Sequence, residues 1–112
     1  MAAGNYDIVI DQGADFALAL ELAQDGTVVN LANHTATAQL RPTPTSSTLS
    51  GTFTCQITNA SQGKLKMSMG YATTANIVAG KYYYDLELYN SGANTMTRLI
   101  QGVARVTQNV TR

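Results

Sequence analysis

The sequence predicts an all-β fold, an antiparallel sandwich of seven to eight strands with one short helical turn near 72–77. Three observations predict it. Apolar residues recur with a period of two through most of the chain. The strand-like runs are short and are separated by turn residues at regular intervals. Thr, Ser, Asn and Gln supply 36 of the 112 residues, whereas charged residues supply only 12%, so the water-facing sides are built from hydroxyls and amides. That share of charge is about half the usual one, roughly 25%. Two explanations stand: Thr favours strands, or the outside is largely covered by partners. A small barrel fits the same spacing and is the alternative architecture. Residues 1–112 read as a single domain, long enough for a sizeable core, with no internal repeat.

The elements follow in order. Tyr6, Ile8 and Ile10 alternate with Asp7, Val9 and Asp11. Phe16, Leu18, Leu20 and Leu22 alternate with small or acidic residues, and both runs read as half-buried strands. Asp25-Gly26 supplies a hairpin turn, because both residues tolerate positive φ. A short return strand over 27–31 follows, with Leu31 turned into the core. Residues 34–41 alternate again, with Ala36, Ala38 and Leu40 on one side. Residues 42–51 hold both prolines and read as a loop. Phe53, Cys55 and Ile57 form a strand whose hairpin partner carries Leu65, Met67 and Met69. The stretch 71–80 breaks the period; Thr73 or Thr74 caps a helical turn there and Gly80 ends it.

"KYYYDLELY" (81–89) is the densest patch. On a strand, side chains alternate between faces. Tyr82, Tyr84, Leu86 and Leu88 then share the core face, because the other choice would bury two carboxylates. Tyr82 or Tyr84 is placed to act as a tyrosine corner, its hydroxyl bonded to upstream backbone. Tyr83, Asp85, Glu87 and Tyr89 share the outer face and form the candidate partner-contact surface. Carboxylates two apart on a strand lie roughly 6–7 Å from each other, near the lower end of the inverting-glycosidase range. Any strand with alternating acids does the same, and the reading is not an enzyme. If "SGAN" is the whole turn, residue 90 faces residue 95, and Glu87 faces Arg98 as a cross-strand ion pair. The expected core is Phe16, Leu18, Leu20, Leu22, Leu40, Phe53, Ile57, Leu65, Met67, Tyr82, Tyr84, Leu86 and Leu88.

Other chemistry finds little support. Net charge is zero, which leaves no basic footprint for nucleic acid. Acids from Asp7 to Asp25 precede the first base, Arg41, while Arg98, Arg105 and Arg112 stand near the other end. Either the first and last strands pair, or acidic and basic surfaces meet between copies. The single cysteine, Cys55, excludes an internal disulfide and reads as a buried thiol rather than a nucleophile. His34 is the only histidine, so no His-rich metal site is expected. Neither a metal nor a cofactor is expected. The start of the chain has no signal-peptide pattern, and no segment is apolar enough to span a membrane. Three Asn-x-Ser/Thr triplets, beginning at Asn33, Asn59 and Asn109, read as chance in an Asn- and Thr-rich chain.

The succession "YDIVIDQGADFALALEL", "DGTVVNL", "ATAQLR", "TTANIVAGKYYYDLEL" and "TRLIQGVARVTQNVTR" resembles a family of small virion proteins of tailed bacteriophages. It is similar to the N-terminal domain of the baseplate upper protein family. The resemblance covers nearly the whole chain, and residues 42–62 depart from it. It implies an immunoglobulin-like sandwich that serves in the virion, made in the host cytoplasm, in symmetric multiple copies contacting other virion proteins. It implies no catalytic residue. The expected role is structural, in the tail or baseplate. A head decoration protein, or a carbohydrate-binding module stacking sugar on Tyr83 and Tyr89, are the alternatives.

Overall fold

The computed structural model describes residues 4–24 and 26–111; Asp25, half of the expected Asp-Gly turn, and Arg112 lie outside them. The strands are β1 (Gly4–Asn5), β2 (Ile8–Asp11), β3 (Phe16–Glu21), β4 (Ala23–Gln24), β5 (Thr27–Val28), β6 (His34–Arg41), β7 (Gly51–Asn59), β8 (Lys64–Met69), β9 (Gly80–Asn90) and β10 (Thr95–Thr107). A 3₁₀ turn (Ala60–Gln62) joins β7 to β8, and a one-turn helix α1 (Tyr71–Thr74) lies between β8 and β9.

Eight of these strands make a two-layer β-sandwich, and β4 and β5 form a small hairpin of their own. In one layer β1 and β2 run parallel to β10, which pairs with β9, then β6, then the start of β7. In the other layer the rest of β7 pairs with β8, and β8 with β3. The strand β7 belongs to both. Phe53 pairs with Ala38 of β6, and Thr54, one residue on, pairs with Ser68 of β8. The first and last strands therefore do pair. Among the described residues their acids do not meet the bases, however: Asp7 accepts from the Val103 N–H at 3.0 Å, and Asp11 from the Thr107 hydroxyl at 2.9 Å.

Between the layers lie Ile8, Ile10, Ala38, Leu40, Phe53, Leu65, Met67, Met69, Tyr84, Leu86, Leu88, Ala104 and Val106, all buried. A chain of rings crosses the core from Phe16 through Phe53 to Tyr84, with centroids 5.8 and 6.2 Å apart. Seven of the residues expected inside are fully so: Leu40, Phe53, Leu65, Met67, Tyr84, Leu86 and Leu88. The other six, Phe16, Leu18, Leu20, Leu22, Ile57 and Tyr82, pack against the core but stay half-buried. Four of these lie on or next to β3, which among the described residues has a strand on one side only. Leu31 is buried as expected, and Ile77 and Leu99 join the core from outside the expected set.

The helical turn forms earlier than the sequence suggests, over Tyr71–Thr74. Neither threonine caps it. Gly70 occupies the N-cap with extended backbone, and the Tyr71 N–H is taken instead by the Asp15 carboxylate at 2.7 Å. Thr74 is fully buried; its hydroxyl accepts from the Gly13 N–H at 3.0 Å and donates to the Ala14 carbonyl at 2.9 Å. Gly80 opens β9 rather than closing the helix. The tyrosine corner is Tyr82, whose hydroxyl donates to the Val78 carbonyl four residues upstream. Tyr84 donates further away, to the Tyr6 carbonyl.

Candidate functional site

The outer face of the first layer is a concave groove of about 730 Å³, lined by residues of β1, β6, β9 and β10 and of the adjoining loops. Register places its side chains in rows across the strands. Asp85 of β9 stands between Gln39 of β6 and Gln101 of β10, and Asn5 of β1 extends that row. The next row carries Thr37, Glu87 and Arg98, and the row beyond it Thr35, Tyr89 and Met96. On the other side of Asp85 stand Arg41, Tyr83 and Val103. Tyr83, Asp85 and Glu87 line the groove as the strand alternation requires. Tyr89 does not. It sits at the hairpin end, its hydroxyl donating to Asn94 at 2.9 Å. Tyr83 and Tyr89 are six residues apart, roughly 20 Å along a strand, so they do not form one sugar-stacking platform.

The turn over 91–94 gives the expected register, with Asn90 opposite Thr95 and Glu87 opposite Arg98. The ion pair nevertheless forms elsewhere: Arg98 Nε lies 3.2 Å from Asp85 Oδ2. Among the described residues Glu87 makes no ion pair. The cause is a β-bulge in β10, where the register shifts between Arg98 and Ile100 and the extra residue is Leu99. A bulge kinks its strand and re-aims the neighbouring side chain. Here it tilts Arg98 toward the Asp85 row, where its Nη1 also donates to Gln101 Oε1 at 3.2 Å. On the opposite flank Arg41 donates to Gln39 Oε1 at 2.9 Å and to the Ser46 carbonyl at 3.3 Å. Lys81 lies over the Tyr83 ring, its nitrogen 5.4 Å from the centroid.

This pattern fixes which way the two glutamine amides point. Arginine has only donors, so each glutamine must offer it the carbonyl oxygen, which leaves the NH₂ groups of Gln39 and Gln101 as donors toward the groove. The groove thus presents two amide donors, the Tyr83 ring and the Glu87 carboxylate. Asp85, one of the two acids a glycosidase pair would use, is held by Arg98.

The remaining chemistry-bearing residues lie apart from this face. Cys55 is half-buried on β7, and burial pushes its thiol pKa up, which makes it a poorer nucleophile. His34 bonds the Ala32 carbonyl through Nδ1 at 2.8 Å, at the start of β6. Among the described residues no cluster of three or more His, Cys, Asp or Glu could hold a metal ion. No helix among them is long and apolar enough to cross a membrane.

No family model matches the sequence, and no curated protein matches it. Among solved structures, one described as that of "NK cell receptor Nkp44, a triggering partner in natural cytotoxicity" aligns with a TM-score of 0.47 at 11% identity, over 96% of this chain and all of the other.

Proposed function

We propose that this chain is a non-catalytic structural subunit of a tailed-phage particle, placed in the tail or baseplate and working through protein–protein contacts. The sequence resemblance supports the particle. The groove on the β6–β9–β10 face supports the mode of action, and one observation carries it. Asp85 and Arg98 hold each other and Arg41 is held by Gln39 and the Ser46 carbonyl, while among the described residues the two glutamine NH₂ groups and the Glu87 carboxylate are left to meet a partner. A surface fixed in this way loses little conformational entropy when a partner docks. The partner that fits is an extended protein segment, its carbonyls taken by Gln39 and Gln101 and a basic side chain by Glu87.

Two measurements test the reading. Mass spectrometry of purified virions should find the chain at a few to a few dozen copies; hundreds would move it to the head surface, and absence would end the virion reading. Glu87→Lys should abolish incorporation into particles while leaving the melting temperature of the isolated protein unchanged. Normal incorporation of that variant would remove the groove as the contact.

A further inference from the structure

We propose that β3 is a self-association edge, at which two copies of this chain pair antiparallel about a two-fold axis at Ala19. The observation is independent of the groove, which lies on the other layer. Among the described residues β3 pairs with β8 alone, so its far side is open.

Hydrogen-bond alternation shows what that side offers. The Leu22 N–H bonds the Gly63 carbonyl at 2.7 Å, one step beyond the Glu21–Lys64 pair. Leu22–Gly63 is therefore a hydrogen-bonded position, and such positions recur at every second residue of an antiparallel ladder. Phe16, Leu18 and Leu20 accordingly turn their backbone groups toward β8. Ala17, Ala19 and Glu21 turn theirs outward, to the open edge. Proline, lysine and bulges, which ordinarily blunt such edges, are all missing from "FALALE". The side chains of Ala17 and Ala19 are too small to fend off a second strand. On the inner face Phe16, Leu18, Leu20 and Leu22 remain half-buried, and among the described residues no strand lies beyond them.

A second copy fits this edge in one register. With the axis at Ala19, Ala19 faces Ala19, Ala17 faces Glu21, Leu18 faces Leu20, and Phe16 faces Leu22. Outward-pointing backbone groups then meet each other, and the apolar row of one copy meets that of the other. The one charge on the strand, Glu21, lands opposite an alanine. Moving the axis to Leu18 would set Asp15 against Glu21, a like-charge pair formed twice. Moving it to Leu20 would carry Phe16 past the end of the apolar row. Charge and apolar complementarity thus select the Ala19 axis, and the product is one continuous six-strand sheet across the pair.

The test is sedimentation together with cross-linking of the full chain. The wild type should sediment as a dimer, and Ala17→Glu, which sets a like charge against Glu21 of the other copy twice, and Ala19→Pro should each sediment as monomers with an unchanged circular-dichroism spectrum. A wild type that stays monomeric at the highest soluble concentration would overturn the proposal, as would a dimer that survives Ala17→Glu. In a Cys55→Ser background, Ala19→Cys should cross-link fully on oxidation, because Cα atoms in a hydrogen-bonded pair lie about 5.5 Å apart, within disulfide reach. Ala17→Cys should not cross-link, since its counterpart stands four residues away. The reverse pattern would rule out this register. Glu87→Lys leaves this edge untouched and should dimerise normally, so failure of the groove reading and failure of this one are distinguishable.

Discussion

Tyr84 is 4% exposed, and its hydroxyl donates to the Tyr6 carbonyl, tying β9 to the connection between β1 and β2. Its pKa is pushed up to about 12, by burial first and then by the nearby charges of Asp7 and Tyr6. In the unfolded chain a tyrosine loses its proton near pH 10. Below about pH 10 both states keep the proton, so the stabilisation is complete. As pH rises from there to about 12 the unfolded chain ionises first, and stability is lost. Tyr84→Phe should therefore flatten the decline in stability above pH 10, read from urea melts across the alkaline range. At neutral pH the same change should cost about 1–2 kcal/mol, because the Tyr6 carbonyl loses its partner. Arg98 shows a different kind of residue-level control. The residue opposite it in register is Glu87, yet its partner is Asp85, because one extra residue in the strand turned it.

At the scale of elements, the tightest junction is where β1 passes into β2 alongside β10. A Cβ at Gly102 would clash with the Tyr6 carbonyl oxygen and stand 2.8 Å from its carbon. Both are backbone atoms, held by the Tyr6 N–H bond to the Gln101 carbonyl at 2.9 Å. Gly102→Ala should cost about 3 kcal/mol, the upper part of the overpacking range, in chemical denaturation. It should also raise amide exchange at Tyr6 while leaving β8 protected. Nothing in the sequence marks this glycine, because the strand that crowds it lies nearly a hundred residues away. The same holds for Asp15, which caps α1 across 56 residues. What was legible was local. The period of two sorted Tyr82 and Tyr84 from Tyr83, placed the groove-lining acids outside, and with the turn fixed the β9–β10 register. The bulge was missed, although Leu99-Ile100 puts two apolar residues where alternation allows one. That the inward side chains from Phe16 to Leu22 stop short of full burial was not legible, because an edge strand and an interior one carry the same apolar period. The groove needs four strands side by side, which no local pattern encodes.

For the whole molecule, 43 Å long and 23 Å across its thinnest axis, the element that matters is β7. It gives its first residues to one layer and its last to the other, so neither layer can open without disturbing the strand they share. Unfolding in urea should accordingly be a single two-state transition, with far-UV circular dichroism and tyrosine fluorescence giving the same midpoint. Separate midpoints would mean that the layers come apart independently. The parallel pairing of β1 and β2 with β10 has a mechanical consequence. Gly4 lies beside Ile100 near the start of the chain, and Asp11 beside Thr107 near its end. A tug on the two ends in opposite directions pulls these strands past one another lengthwise. Their hydrogen bonds then share the load and must break together, where an antiparallel hairpin would unzip one bond at a time. The fold is thus braced against tension along its own chain.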